Sequence, residues 1–248
     1  MSTIDTKEIN QFSQMAGQWW DEAGPYRILH ELNPVRLAYL KHQICQHYNL
    51  PAQDPQALRG LNILDIGCGG GLITLPMAQM GASILGIDAC AQTIAAAQHH
   101  AQDVRSTATF RQASAEGIAL ESPHKFDVVL AIEIIEHVQS PQTFIQACTQ
   151  LTKPGGLVIM STLTRTLLSF ALGIVAAEYI LRWVPKGTHS WEKFVQPAEL
   201  SHWLEANGCQ ILDISGLDFD LWKRRWSVNN NKIVANYFLT ATSKNLEI

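Results

Sequence analysis

Asn62-Ile63-Leu64-Asp65-Ile66-Gly67-Cys68-Gly69-Gly70-Gly71 (residues 62–71) is a short apolar run that breaks into glycines, and residues 72–80 (LITLPMAQM) continue it with a helical pattern. A buried strand that turns through glycines into a helix sets bare backbone where a ligand must come close, since glycine takes the turn and leaves no side chain in the path. Alone, the stretch is also compatible with a plain tight connection. The next strand-like run, residues 82–88 (ASILGID), ends on Asp88, about 20 residues past Gly67, where a carboxylate can accept hydrogen bonds from both hydroxyls of a ribose. Asp88 could equally cap the helix that follows. Together, the glycines and the acid put an adenosine-type ligand across the carboxyl ends of the first two strands. The dinucleotide fingerprint G-x-G-x-x-G/A fails, because its last position counted from Gly67 is Leu72. That speaks against an NAD-dependent oxidoreductase.

On either side of this stretch, strand and helix patterns alternate, the mark of βαβ units and a parallel sheet. A helix at 90–102 leads to strands at 107–113 and 126–132 (FDVVLAI), a helix from about Pro141 to Leu151, and a tight turn, Lys153-Pro154-Gly155-Gly156, into a strand at 157–162. Pro197 opens another helix, closed by Gly208 at the C-cap position, and strands at 209–217 and 234–242 finish the chain. Upstream, residues 1–50 read as an N-terminal helical cap in which Asn33 caps a new helix with Pro34 in its first turn. A polar linker at 51–60 opens an α/β domain over 51–248, which carries an apolar insertion at 164–197.

The chain has 248 residues, 47% hydrophobic and 16% charged, and 18 Lys+Arg against 22 Asp+Glu leave a formal net charge of −4. Such a length suits one α/β domain with an appendage and supports a sizeable core, which excludes a disordered or fibrous chain. Slight acidity offers no field to gather a long polyanion, so nucleic acid is not an expected partner. Cys45, Cys68, Cys90, Cys148 and Cys209 form no C-x-x-C pair and read as free thiols of a reducing cytosol. The opening MSTIDTKEINQF lacks the apolar segment of a secretory signal, so export is not expected. The longest uncharged apolar run, residues 167–177 (LLSFALGIVAA), is about half of what a bilayer-spanning helix needs. Charge is nevertheless scarce beside the roughly one quarter usual in globular chains, which leaves room for exposed apolar surface.

In its glycine and acid motifs the chain resembles the class I S-adenosylmethionine-dependent methyltransferases, whose first motif looks like L-D-x-G-C-G-x-G with an acidic residue ending strand two. Ile132-Glu133-Ile134-Ile135-Glu136-His137-Val138 after the fourth strand and Lys153-Pro154-Gly155-Gly156 before the fifth stand where that family has its further motifs. The resemblance implies a Rossmann-like α/β fold with a seven-stranded, mostly parallel sheet and an antiparallel last strand. It implies S-adenosyl-L-methionine as cofactor, with Gly67 and Gly69 facing the methionine moiety, Asp88 on the ribose, Ser114-Ala115-Glu116 near the adenine and Ile132 beside the sulfonium. Longer blocks are similar to the ubiquinone-biosynthesis O-methyltransferase family: Trp19-Trp20-Asp21, 32–37 (LNPVRL), 177–181 (AEYIL), 184–189 (VPKGTH) and 193–200 (KFVQPAEL). The similarity runs from about residue 10 to 205 and weakens after Gly208. It implies methylation of two phenolic oxygens on polyprenylated rings, one early and one late in ubiquinone synthesis. By the same resemblance Arg36 contacts the cofactor, through a charge-assisted pair with its carboxylate.

A phenol is a poor nucleophile until it loses its proton, so the site must supply a base or a cation. Glu133, Glu136 and His137 are spaced i, i+3, i+4, so they share one face if residues 133–138 are helical. They are then candidate ligands for a divalent cation such as Mg2+ that binds the phenolic oxygen, or Glu133 and His137 act without a metal. Many class I enzymes carry Glu-His-Val only as a helix start and pocket wall. His189, in the insertion, is the other candidate base.

The insertion reads as an interrupted apolar helix flanked by Arg165, Arg182, Lys186 and Lys193, and residues 166–183 carry only Glu178 and Arg182 as charges. Its plain reading is a buried lid. Its functional reading, favoured because a polyprenyl phenol or quinol avoids water, is an interfacial helix that takes the substrate from the membrane surface. Trp222-Lys223-Arg224-Arg225-Trp226 offers a second contact with anionic lipid, or is a solvated loop. The expected protein is therefore cytoplasmic and peripherally associated with the inner face of the membrane, with other quinone-synthesis enzymes as candidate partners. The alternatives are an O-methyltransferase for another small phenol or a carboxyl group, and a catalytically silent assembly subunit. No Asn-Pro-Pro-Tyr-like motif follows the fourth strand, a further point against nucleic-acid methylation.

Overall fold

The computed structural model describes residues 3, 13, 15–121, 123, 125–166, 191–220 and 225–244. Parallel strands β1 (Asn62–Ile66), β2 (Ser83–Asp88), β3 (Thr109–Gln112), β4 (Phe126–Ile132) and β5 (Thr152–Leu163) are joined by β6 (Cys209–Asp220), β7 (Arg225–Asn229) and β8 (Asn236–Ser243). The order across the sheet is β3-β2-β1-β4-β5-β8-β6-β7. β8 lies between β5 and β6 and runs antiparallel to both, and β7 runs antiparallel to β6. The strand order reverses between β1 and β4, which opens a crevice beyond their carboxyl ends, the usual place for a ligand in such sheets.

The helices are α1 (Arg27–His47), α2 (Thr74–Gln79), α3 (Ala91–Asp103), α4 (Ala115–Glu121), α5 (Pro141–Leu151) and α6 (Pro197–Ala206). β4 shows why the centre of the sheet reads as an unbroken apolar run, since both its faces are covered. Val128, Leu130 and Ile132 pack with Ile28, Leu40 and Ile44 of α1 and Met77 of α2. Val129 and Ala131 face the other way, toward Ile118 of α4, Phe144 and Ile145 of α5 and Leu200 of α6. The five cysteines are all buried free thiols. Among the described residues, no helix is long and apolar enough to cross a membrane.

Several expectations need correction. The described sheet has eight strands rather than seven, because residues 225–229 pair with β6 as an outer strand. Trp226 and Val228, two residues apart, lean on the core that α1 closes, so this half of the basic and aromatic stretch is strand and not loop. Pro34 does not start a helix: α1 runs unbroken from Arg27 to His47 with the proline inside it. Burial of Ile28 and Leu32 before the proline, with Leu40 and Ile44 after it, offsets the roughly 3 kcal/mol a helix-interior proline costs. Asn33, instead of capping, donates its side-chain amide to the carbonyl of Leu72 at 2.6 Å.

Lys153-Pro154-Gly155-Gly156 lies within β5, not ahead of it. Phe126 pairs with Thr152 and Val128 with Leu157, so the four residues form an irregularity on the β5 side. A Cβ on Gly156 would sit 2.7 Å from the carbonyl oxygen of Asp127, which leaves room only for glycine. The apolar run 167–177, His189 and Trp222-Lys223-Arg224 lie outside the described residues.

Candidate active site

The glycine loop leaves β1 in a left-handed path, with φ of 72° at Gly67, 54° at Gly69 and 89° at Gly71. Glycine adopts such angles without steric penalty. The N–H groups of Gly67 and Cys68 both donate to the carbonyl of Ile87, at 2.8 and 3.0 Å, which ties the loop to β2. Asp88 completes the tie, since one carboxylate oxygen accepts from the N–H of Gly69 at 3.1 Å and the other from that of Cys90 at 2.8 Å. Asp88 thus ties the glycine loop to the turn that leads into α3. Burial raises its pKa, and the backbone donors of Cys90, Gly69 and Ala89 pull it back.

A second polar group gathers where β4 and β5 end and β8 begins. Glu133 has a left-handed backbone, φ 57°, with its N–H on the carbonyl of Ser161 at 3.0 Å. Its Oε1 accepts from Ser161 Oγ at 3.1 Å and Asn236 Nδ2 at 2.8 Å, and its Oε2 lies 3.6 Å from Nη2 of Arg36. Arg36 reaches this point from α1 and is 4% exposed, and its Nε and Nη2 have no hydrogen-bond partner. Glu136 sits in the short 3-10 turn Ile135–His137 and accepts from Thr162 Oγ1 at 2.8 Å. Its other oxygen is buried without a partner. Burial first, then the charge of Glu133, pushes its pKa up to about 7, against an opposing pull from His137.

The expected helical face of Glu133, Glu136 and His137 does not form. Only residues 135–137 are helical, in a 3-10 turn, while Glu133 turns away to Ser161 and Asn236. Among the described residues no group of three or more His, Cys, Asp or Glu is placed to hold a metal ion. A Mg2+ site does not fit these side chains as they stand.

Ile132, buried at the end of β4, and Ser114, just beyond β3, lie at the same carboxyl-end edge of the sheet as Gly67 and Asp88. The Ser114 hydroxyl accepts the N–H of Gly117 at 3.1 Å and so starts α4, a helix not read from the sequence. Thr3 spans the neighbouring edge, donating to Glu116 at 2.6 Å and accepting from the N–H of Gln139 at 2.8 Å. His189 lies outside the described residues. Ser161, Thr162 and Asn236 were not anticipated as site residues. Asn236 opens a strand far along the chain, and only the pairing of β5 with β8 brings it near Glu133.

Bare glycine backbone, a half-buried carboxylate at the end of β2 and a buried guanidinium whose Nε and Nη2 make no hydrogen bond fit a ligand that joins a ribose to a carboxylate, as S-adenosylmethionine does. Residues 36–214 match the methyltransferase domain family. The chain is 44% identical over 240 residues to a ubiquinone biosynthesis O-methyltransferase of Sinorhizobium fredii, a match covering 97% of this chain and 96% of that one. The chain belongs to the ubiquinone biosynthesis O-methyltransferase family. A second member, from Roseobacter denitrificans, is 43% identical over 243 residues, covering 98% of this chain and 97% of its own. This family is one of S-adenosylmethionine-dependent O-methyltransferases, and the chain is such an enzyme. Its fold is shared with more distant solved structures. Magnesium protoporphyrin IX methyltransferase from Synechocystis PCC 6803 with bound SAH has a TM-score of 0.60 at 20% identity, covering 84% of this chain and 82% of that one. An S-adenosylmethionine-dependent methyltransferase from Aquifex aeolicus has a TM-score of 0.59 at 13% identity, covering 96% and 98%.

Proposed function

We propose that this ubiquinone biosynthesis O-methyltransferase acts on phenolic hydroxyls of polyprenylated ubiquinone precursors, serving both O-methylation steps of the pathway. The observation that carries the chemistry is Glu136, a buried carboxyl with one oxygen unpartnered and a pKa pushed up to about 7. A base poised near neutrality accepts a proton well at working pH and still returns it to solvent. When bound, S-adenosylmethionine supplies a methyl group on a positively charged sulfur, open to in-line attack by oxygen.

The chain's own residues do the rest. Asp88 holds the ribose hydroxyls, Arg36 pairs with the carboxylate, Gly67 and Gly69 let the backbone approach, Ser114 borders the adenine and Ile132 walls the reacting centre. Glu133, held by Ser161 and Asn236 and facing Arg36, keeps that guanidinium in place. Glu136 takes the phenol proton as the oxygen attacks, with His137 beside it to share the charge. His189 is the second candidate for this task. Mg2+ is left out of the scheme because Glu133 is committed to other partners.

The apolar sequence 166–183 supports a peripheral place on the inner, cytoplasmic face of the membrane, where a lipid-tailed substrate resides. Other quinone-synthesis enzymes are partners in the same reading. An assay with short-chain analogues of the two phenols and methyl-labelled cofactor tests the activity. Labelled product from both is expected, and none from either would overturn the assignment. Co-sedimentation of the intact protein with anionic liposomes tests the membrane reading, which fails if the protein stays in the supernatant.

A further inference from the structure

Two aromatic residues ahead of α1 lie on the glycine loop, and the chemistry described so far leaves them without a task. The segment that carries them is fastened at several points. Trp20 donates its indole N–H to the carbonyl of Gly70 at 3.1 Å and stacks on His100 with centroids 3.6 Å apart. A ring nitrogen of His30 meets the carbonyl of Trp19 at 2.8 Å. Between these ties, the ring of Trp19 lies so close to the loop that a Cβ on Gly69 would come within 2.5 Å of it, and one on Gly70 within 2.6 Å of the Trp19 side chain. Tyr26 stacks on Trp19, centroids 3.9 Å apart and planes 8° from parallel.

Packing alone would be served as well by phenylalanine at both positions. Instead each ring carries a polar atom, Nε1 of Trp19 and the hydroxyl of Tyr26, that is buried without a hydrogen-bond partner, on residues only 8% and 5% exposed. Buried donors in folded proteins are nearly always paired, so an orphan at a ligand site points to the ligand. The Tyr26 phenol is close enough to Cys90 and Asp88 for both to raise its pKa after burial has done so, which keeps it protonated and able to donate. The backbone donors of Gly69, Cys90 and Ala89 take at most three of the four lone-pair sites of Asp88, which leaves it room for a further donor.

We propose that Tyr26 and Trp19 form the outer wall of the cofactor site, with the Tyr26 hydroxyl bonding the ribose diol alongside Asp88 and the Trp19 indole shielding the glycine loop. The proposal rests on the S-adenosylmethionine reading of the site. It makes the double-tryptophan segment part of cofactor recognition as well as a prop for the fold.

Titration calorimetry of the full chain with S-adenosylhomocysteine, and with its analogue lacking both ribose hydroxyls, tests the hydroxyl. Tyr26→Phe should weaken S-adenosylhomocysteine about 3- to 10-fold, the worth of one neutral hydrogen bond, and leave the analogue's affinity and the ligand-free melting temperature unchanged. Equal affinity of wild type and variant for S-adenosylhomocysteine, or an equal loss for both ligands, overturns the role of Tyr26. Ligand should also shift the tryptophan emission of the wild type, and Trp19→Phe should abolish most of that shift; a shift retained in full overturns the role of Trp19. Failure of the wild type to bind S-adenosylhomocysteine is a separate result: it removes the cofactor reading, and this proposal with it.

Discussion

The hydroxyl of Thr74 donates to Oδ2 of Asp65 at 2.6 Å, so the end of β1 ahead of the glycine loop and the first residue of α2 after it are bolted together. Asp65 is 2% exposed, and burial pushes its pKa up from 3.8 to about 7, with Thr74 pulling the other way and the Asp88 charge adding to the rise. The bond holds the loop's two ends at fixed separation whatever occupies its face.

Asp65 sets a pH dependence of stability. Between about pH 4, where the unfolded carboxyl releases its proton, and about pH 7, where the native one does, the native state holds the extra proton. Stability therefore falls as pH rises through that window and levels off above it. For a shift of about three units the loss is on the order of 4 kcal/mol. Asp65→Asn should flatten this part of the profile, and urea unfolding at pH 5 and pH 8 measures it. An unchanged slope would contradict the buried, protonated carboxyl.

Gly70 has no space for a methyl group, since the added carbon would come within 2.6 Å of the Cβ of Trp19. Gly70→Ala should lift the aromatic segment from the loop at a cost of about 1–3 kcal/mol, the usual range for overpacking. Red-shifted tryptophan emission together with a lowered melting temperature is the expected result; a blue-shifted or unchanged spectrum would show that Trp19 does not rest there.

Arg36 and Glu133 form a pair whose guanidinium side is buried. Removing one partner of such a pair strands the other, so Arg36→Met should destabilise the protein by about 3 kcal/mol and abolish measurable binding of S-adenosylhomocysteine. Adding Glu133→Gln should restore part of the stability and none of the binding. Chemical denaturation of the single and double variants, with calorimetry on each, reads both quantities.

Glu136 as proton acceptor predicts an acid limb in the rate profile. Activity should drop as pH falls below about 7, where the carboxyl becomes protonated and can no longer accept. Glu136→Gln should lower kcat about 100-fold or more, remove that limb and leave affinity for S-adenosylhomocysteine within a few-fold. If His189→Gln produced this pattern and Glu136→Gln did not, the base would lie in the insertion.

The parts of this molecule legible in its sequence are those governed by local rules. Residues 126–132 read as a buried strand because both faces are covered, and the structure has β4 over those same residues. Gly67 and Gly69 announced a backbone that only glycine tolerates, and their left-handed angles bear that out. What escaped was set by distant partners. Glu133, Glu136 and His137 looked like one helical face by spacing, but the N–H of Glu133 is taken by Ser161 of β5, which turns its backbone left-handed and sends its side chain elsewhere. Pro34 looked like a helix start because the reading could not weigh what α1 buries on each side of it. The seven residues of α4 are too few for periodicity to speak, and a glycine interrupts them.

All five thiols are shut away in the native state, and two of them, Cys68 in the glycine loop and Cys90 at the start of α3, adjoin the site, whereas Cys45, Cys148 and Cys209 do not. Alkylation kinetics on the intact protein thus come with two built-in clocks. Labelling at Cys68 and Cys90 reports opening around the glycine loop and the start of α3, and labelling at the other three reports opening elsewhere in the core. A nucleoside ligand that slows the first clock by more than the second would be felt at the glycine loop, residue by residue, without any need to follow turnover.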